Sequence, residues 1–159
     1  RYSQTDDSWT QMNDFPGIKR GETIGFEMNG KGYMVQGYDF DINSPINDFW
    51  EYDPATDTWT ELPAPNPAAN LEAGTGFSFK GKGYMGLGRT VGGETVSEFW
   101  QYDPDTQSWS ILTNFPGAVP RLGMLSYVAG DNVYLINGVT FSPNYEPLSE
   151  FWRFKPESQ

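Results

Sequence analysis

One aromatic segment occurs four times along the chain, twice complete and twice in part, and this repetition constrains the fold more than any other feature. The complete copies are DFWEYDPATDTWTEL at residues 48–62 and EFWQYDPDTQSWSIL at residues 98–112. The first part returns as EFWRFKPESQ at 150–159, and the last part opens the chain as RYSQTDDSWTQM at 1–12. A fixed period of about 50 residues indicates an array of similar structural units.

A second block repeats with the same period. It reads FEMNGKGYMVQG at 26–37, FSFKGKGYMGLG at 77–88 and YVAGDNVYLING at 127–138. Each copy predicts two strands joined by a tight turn, because pairs such as Asn-Gly tolerate the positive φ of a primed hairpin turn. The aromatic segment predicts two further strands around a turn that begins with proline. No apolar periodicity of 3.6 residues is sustained, so we expect almost no helix.

The repeats predict a division of the chain into four segments. A partial unit at the start is followed by two complete units and by a third unit that lacks its last strand. These segments are residues 1–12, 13–62, 63–112 and 113–159.

Large rings occupy neighbouring positions in the third predicted strand of each unit. Phe49 precedes Trp50, and Phe99 precedes Trp100. Successive strand residues point to opposite faces of a sheet, so rings are expected on both faces. Such a sheet is stable when it is packed between other sheets, and we expect the repeated tryptophans to be buried in this way.

This pattern resembles the kelch-repeat β-propeller family. The resemblance rests on Tyr52 with Trp59 and Tyr102 with Trp109, and on one glycine at the end of each second strand where the family has two. It implies an all-β fold of kelch-type β-propeller blades, with three four-stranded repeats that form half of a six-bladed propeller. The repeats are similar to those of secreted or surface-attached bacterial kelch proteins, which implies an extracellular or cell-surface location.

Three blades do not close a ring, and two open faces rich in aromatic residues are expected to need a cover. One hypothesis is a homodimer, in which two copies complete a six-bladed ring and residues 8–12 of one copy complete the last blade of the other. The alternative is that further blades of a longer chain supply the rest of the ring.

Composition excludes several functions. The net charge of −11 repels phosphate backbones, so we expect no nucleic-acid partner, and no stretch is apolar enough to span a membrane. The chain has no cysteine and no histidine, which excludes the copper chemistry of galactose oxidase, another protein with a kelch-type propeller. We therefore expect a non-catalytic binding or scaffold module that recognises protein or glycan through its loops. The alternative is a carbohydrate-active enzyme of the sialic-acid-mutarotase kind.

Seven residues are candidates for ligand binding. Arg20 and Arg121 share a repeat position before the first strand, near Glu22 and Glu72, where a mutarotase needs a cation and an acid or base; ion pairing between blades is the alternative role. Loop aromatics suit sugar rings or partner proteins, although local packing also explains them. The remaining candidates are Arg89, Tyr38, Phe40, Phe141 and Tyr145.

A short acidic loop has part of the pattern of a calcium site. Asp39, Asp41 and Asn43 alternate as in the first half of a calcium-binding loop. Ser44 stands where the loop glycine belongs, and Trp50 stands where a bidentate Glu belongs. We therefore expect no cofactor, with Ca²⁺ at these three residues as a weak alternative to a solvated loop.

Overall fold

The computed structural model describes residues 1–65, 71–90, 92–117, 119–140 and 144–154. Within these ranges every regular element is a β-strand, as the sequence predicted, and none of these residues belongs to a helix that would span a membrane. The described strands fall into three larger sheets and four two-stranded sheets.

Each larger sheet is one blade, and its strands follow one another in chain order. Blade 1 contains β3 (Ile24–Met28), β4 (Lys31–Val35), β7 (Phe49–Asp53) and β8 (Thr58–Leu62). Blade 2 contains β10 (Thr75–Phe79), β11 (Lys82–Gly86), β13 (Glu98–Asp103) and β14 (Ser108–Asn114). Blade 3 contains β15 (Leu125–Ala129), β16 (Asn132–Ile136) and β19 (Phe151–Phe154).

The two-stranded sheets lie outside the blades. The pairs are β1 (Tyr2–Ser3) with β2 (Ser8–Trp9), β5 (Tyr38–Asp39) with β6 (Ser44–Pro45), β9 (Leu71–Glu72) with β12 (Arg89–Thr90), and β17 (Val139–Thr140) with β18 (Glu146–Pro147).

The tight turns of the first hairpins in blades 1 and 2 adopt the predicted geometry. Asn29-Gly30 and Lys80-Gly81 have positive φ at both residues, with values of 56° and 78° in the first turn and 50° and 76° in the second. A primed turn has this backbone, and its twist matches that of the flanking strands. The register that follows pairs Phe26 with Tyr33 in blade 1 and Phe77 with Tyr84 in blade 2.

Each blade carries an aromatic ladder, which we define as three rings in neighbouring strands on one face. The ladders are Phe26, Tyr33 and Phe49 in blade 1, Phe77, Tyr84 and Phe99 in blade 2, and Tyr127, Tyr134 and Phe151 in blade 3.

The hydrophobic core lies between consecutive blades. The ladder of blade 1 is covered by Tyr102 and Trp109 of blade 2, whose ring centroids lie 4.7 and 5.1 Å from that of Phe49. The ladder of blade 2 is covered by Phe154 of blade 3, with centroids 5.3 Å from Phe99. Rings on both faces are therefore buried where a blade has a neighbour on each side.

The β1–β2 hairpin has the geometry of the outer hairpin of a blade. The rings of Tyr2 and Trp9 are 5.0 Å apart and tilted by 42°, close to the 4.9 Å and 43° of Tyr52 and Trp59. Trp9 is nevertheless 81% exposed, so the expectation that every repeated tryptophan is buried is wrong at this position. No inner strands pack beside this hairpin among the described residues.

Candidate functional site

The three blades meet along an axis formed by their first strands. Strands β3, β10 and β15 run beside one another, and one residue with positive φ precedes each of them. These residues are Glu22, Ala73 and Gly123, with φ of 52°, 52° and 66°. The amide of Ala73 donates to the carbonyl of Glu22 at 3.1 Å, and the amide of Gly123 donates to that of Ala73 at 2.7 Å. The three bends therefore form an arc at one end of the axis.

A pair of residues from two short segments precedes each bend. Gly21 pairs with Tyr38 in blade 1, and Leu122 pairs with Val139 in blade 3. In blade 2 the pair is Glu72 with Arg89, so at this position blade 2 alone of the three carries opposite charges. The charged pair Glu72 and Arg89 therefore lies beside the middle one of the three bends.

Arg89 binds two carboxylates from different blades. Its Nε and Nη2 atoms both lie 2.5 Å from Oε1 of Glu72, and Nη2 lies 4.0 Å from Oε2 of Glu22. The first contact is a charge-assisted hydrogen bond, whereas the second is an ion pair beyond hydrogen-bond length. We call Glu22, Glu72 and Arg89 the axial cluster.

The three side chains of the axial cluster differ in their exposure to solvent. The side chain of Glu72 is 5% exposed, and its Oε2 atom is buried without a hydrogen-bond partner in the described parts of the chain. The side chains of Glu22 and Arg89 are 37% and 28% exposed. The positive φ of Glu22 is shared by the equivalent Ala73 and Gly123, so it belongs to the bend of each blade. These features make the axial cluster the strongest candidate site among the described residues.

Arg20 is not part of the axial cluster. Its side chain is buried and forms a two-point ion pair with Asp48, in which Nη2 donates to Oδ2 at 2.6 Å. Asp48 also accepts the indole N–H of Trp50 at 2.9 Å. Both charged residues belong to blade 1. This ion pair therefore holds the segment before β3 against the segment before β7 and does not join two blades.

Arg121 repeats this arrangement in blade 3. It is fully buried, and its Nη1 donates to Oε2 of Glu150 at 2.6 Å, which also accepts the indole N–H of Trp152 at 2.8 Å. The hydrogen bond from Trp152 and then the Arg121 guanidinium hold the pKa of Glu150 below its usual value. The guanidinium also stacks on the ring of Phe115, 4.8 Å from its centroid. The side chains of Arg20 and Arg121 thus lie inside the protein, and ligand binding by these two residues stays a prediction.

Phe40 lies beside the axial cluster. Its ring is mostly exposed and covers Gly21, the residue before Glu22, where an added Cβ would meet Phe40 Cε2 at 2.8 Å. Tyr38 packs edge-on against Phe40 at 5.1 Å, and its hydroxyl donates to Oδ1 of Asn43 at 2.7 Å. An exposed ring is therefore held against the residue that precedes Glu22.

The two remaining loop aromatics lie in the third unit. Tyr145 is exposed, and Phe141 lies outside the described residues.

The acidic loop of the calcium hypothesis is folded onto its own backbone. Oδ1 of Asp39 accepts the amides of Asp41 at 2.8 Å and Ile42 at 3.3 Å, and Oδ1 of Asn43 is bound by Tyr38. The described part of the chain contains no group of three or more His, Cys, Asp or Glu side chains placed to hold a metal. Calcium binding at Asp39, Asp41 and Asn43 stays a prediction.

Sequence reasoning named the members of the axial cluster separately but did not join them. Glu22 and Glu72 were placed near Arg20 and Arg121, whereas the structure brings both carboxylates to Arg89. The repeat alignment holds the missing signal, because Glu72 and Arg89 occupy two positions that are uncharged in the other units. A charge at both positions of one repeat indicates a cross-strand ion pair.

Comparison with known proteins finds one kelch motif and a shared fold. Residues 37–66 match the family model described as "Kelch motif". A solved structure of YjhT superposes with a TM-score of 0.71 over 91% of this chain, at 20% identity. The chain contains a kelch motif and has the fold of part of a kelch β-propeller. The matched kelch repeats span 56% of the YjhT chain, so the fold is shared with slightly more than half of that protein.

A curated relative is similar to part of the kelch repeats. N-acetylneuraminate epimerase from Pasteurella multocida (strain Pm70) is 36% identical over 80 residues. This stretch is 48% of the present chain and only 21% of the length of the epimerase.

Proposed function

We propose that the axial cluster binds an acidic sugar of the N-acetylneuraminate class. The observation that carries the proposal is Arg89, a partly exposed guanidinium held at the end of the propeller axis between the buried Glu72 and the exposed Glu22. The similarity to an N-acetylneuraminate epimerase supports an acidic sugar over a neutral one.

The guanidinium of Arg89 fits the carboxylate of such a sugar. Arginine binds carboxylates through two parallel N–H groups, and this geometry gives specificity as well as affinity. Glu72 fixes one edge of the guanidinium through Nε and Nη2 at 2.5 Å. The contact with Glu22, at 4.0 Å, is an ion pair beyond hydrogen-bond length.

Glu22 supplies the chemistry that an epimerase needs. Inversion at the anomeric carbon of a cyclic sugar begins when a base takes the proton of the anomeric hydroxyl. The bond between the anomeric carbon and the ring oxygen then breaks, and the ring oxygen takes a proton from water. Closure on the other face of the carbonyl reverses these steps and returns the proton to solvent. A half-exposed carboxylate such as Glu22, held 4.0 Å from the arginine that binds the substrate, is suited to this role.

A second candidate function is recognition of a protein or glycan without catalysis. The observation that favours it is the exposed ring of Phe40, which is fixed against Gly21 and Tyr38. A rigid aromatic ring with one free face stacks on the apolar face of a sugar or on a partner side chain. The epimerase function needs Glu22, whereas this second function does not.

Calorimetry with N-acetylneuraminate tests the binding step, with N-acetylglucosamine as the neutral comparator. The test variant combines Arg89→Leu with Glu72→Gln, so that no buried carboxylate loses its partner. We expect the wild type to bind only the acidic sugar and the variant to lose at least about tenfold in affinity, because a hydrogen bond to a charged group is worth about 1.5–3 kcal/mol. Arg153→Gln removes an exposed arginine of blade 3 and should bind as the wild type does. Equal affinity for the two sugars, or unchanged binding by the variant, contradicts the proposal.

Exchange between the two anomers of N-acetylneuraminate, followed by NMR, separates an epimerase from a binder. An epimerase predicts that the wild type accelerates exchange and that Glu22→Gln loses the acceleration while binding persists. Binding without acceleration by the wild type removes the catalytic function and leaves the binding function.

A further inference from the structure

A cavity lies between two connections of blade 2, the one from β11 to β13 and the one from β14 to β15. Its volume is about 390 Å³. The described residues that line it are Gly93, Glu94, Thr95, Val119 and Pro120. The first strand of blade 2 packs against those of blades 1 and 3, so this cavity lies within the array of blades and not at its edge.

The first wall of the cavity is a short hairpin held by its own backbone. The amide of Thr90 donates to the carbonyl of Glu94, and the amide of Gly93 donates to the carbonyl of Thr90, both at 2.8 Å. A Cβ added to Gly93 would meet no described atom within 4 Å. The backbone of this wall is therefore fixed, while the space beside Gly93 is open.

The cavity begins one cross-strand pair away from the guanidinium of the axial cluster. Arg89 pairs with Glu72 on one side and with Thr95 on the other. Paired residues of antiparallel strands project their side chains to the same face, with Cβ atoms about 5 Å apart. Glu72, Arg89 and Thr95 therefore form a row, and the cavity extends the axial cluster beyond Arg89.

The lining of the cavity combines apolar and polar groups. Val119, which is exposed, and Pro120 present carbon atoms. The hydroxyl of Thr95 donates and accepts hydrogen bonds, whereas the carboxylate of Glu94 accepts them. A ligand group that matches this lining has a small apolar part beside an N–H donor and an acceptor.

The N-acetyl group of an acidic sugar has this composition. Its methyl group is apolar, and its amide carries one N–H donor and one carbonyl acceptor. In N-acetylneuraminate the N-acetyl group lies across the sugar ring from the carboxylate. A carboxylate bound to Arg89 therefore leaves the N-acetyl group directed away from the guanidinium. The glycerol side chain of the same sugar has hydroxyls and no methyl group, and it matches the apolar wall less well.

The charge of Glu94 favours one orientation of the ligand. A ligand carboxylate inside the cavity would face the carboxylate of Glu94, and like charges in close contact are unfavourable. The carboxylate of the sugar is thereby directed to Arg89, and an uncharged group is directed to the cavity.

We propose that this cavity is the subsite for the N-acetyl group of the acidic sugar, an inference that rests on the proposed function of the axial cluster. The methyl group packs against Val119 and Pro120. The amide N–H donates to Glu94, and the amide carbonyl accepts from the hydroxyl of Thr95. Because a site built to bind an N–H group discriminates against an analogue that lacks it, the cavity selects N-acylated acidic sugars.

Calorimetry with two acidic sugars tests this proposal. N-acetylneuraminate is compared with the analogue that carries a hydroxyl in place of the N-acetylamino group, so both sugars present the same carboxylate to Arg89. We expect N-acetylneuraminate to bind about tenfold more tightly, because burial of one methyl group and one additional hydrogen bond together give a gain of this order. Equal or tighter binding of the analogue overturns this inference and leaves the proposed function intact, whereas binding of neither sugar overturns both.

Three variants show whether the preference arises in the cavity. Val119→Phe fills the cavity and should abolish the preference for N-acetylneuraminate, while its unchanged affinity for the analogue shows that the variant is folded. Thr95→Val removes the hydroxyl at nearly constant volume and should reduce the preference in part. Val128→Phe makes the first change at an exposed valine of β15 outside the cavity and should keep the wild-type preference. A preference that survives Val119→Phe would overturn the proposal, because the N-acetyl group would then bind elsewhere.

Discussion

The backbone of Gly83 lies directly against the ring of Phe26, so that a Cβ on Gly83 would meet Phe26 Cε2 and Cζ at 2.6 Å. Gly83 belongs to blade 2 and Phe26 to blade 1, and the contact therefore sets how closely the two blades pack. The rest of this interface is also aromatic, with Tyr102 and Trp109 of blade 2 against Phe49. Packing of rings on bare backbone explains how a chain with few large aliphatic residues forms a core between its blades.

Gly83→Ala is expected to destabilise the chain by about 1–3 kcal/mol, because the added methyl group forces the ring of Phe26 out of a well-packed position. Gly32→Ala is the matched control, since it makes the same change at the same repeat position, where the added Cβ makes only ordinary contacts with Tyr52 of its own blade. The free energy of unfolding in urea measures both effects. Equal losses for the two variants would show that the glycine is needed for the strand itself and not for the contact with Phe26.

The buried ion pair of Arg20 and Asp48 predicts strong coupling between these two residues. Asp48→Asn leaves the guanidinium buried without its counterion and should cost about 3–5 kcal/mol. The double variant Arg20→Leu with Asp48→Asn should lie closer to the wild type, because Leu71 fills the equivalent position of blade 2 and is buried there.

A double-mutant cycle on these variants, read by urea unfolding, measures the coupling. Lys31→Gln serves as a comparator, because Lys31 and Glu51 form a more exposed ion pair that is worth about 0–1 kcal/mol. Additive effects at Arg20 and Asp48 would contradict the prediction.

The lowered pKa of Glu150 predicts that the folded chain is less stable in acid. The indole N–H of Trp152 and the guanidinium of Arg121 hold its pKa below the usual value in the folded chain. A group with a lowered folded pKa stabilises the fold above its unfolded pKa of about 4.3, and this contribution is lost as the pH falls through the folded pKa. The free energy of unfolding should therefore fall on acidification below about pH 4.3.

Glu150→Gln should flatten that part of the stability profile, because the variant has no carboxyl to protonate. Glu146→Gln removes a charge from the same region without touching Arg121, and it should keep the wild-type slope. A slope unchanged by Glu150→Gln would show that the ion pair with Arg121 does not contribute.

Much of the fold was predictable because it follows from local sequence patterns. The hairpin turn at Asn29-Gly30, the three repeats and the rings on both faces at Phe49 and Trp50 all follow from spacing and residue type. The exposure of Trp9 was not predictable in this way, because burial depends on what lies beside the hairpin.

The candidate site was harder to predict because it depends on pairing outside the blades. Arg89 and Glu72 are 17 residues apart and meet in a sheet of two residues per strand, which is too short to leave a periodic pattern. Glu22 joins them from another blade through a bend with positive φ. The position of Arg20 in the repeat made it a reasonable candidate, but the ion pair with Asp48 keeps the Arg20 side chain in the interior.

The Nε–Hε NMR signal of Arg89 tests the central claim, that the axial cluster receives an acidic sugar, most directly. The signal is assigned with Arg89→Lys and followed during titration with N-acetylneuraminate and, separately, with its uncharged methyl ester. Because the carboxylate is the group that Arg89 binds, we predict that the acid shifts the signal in a saturable way and that the ester does not. An equal response to acid and ester, or no response to either, would contradict the claim.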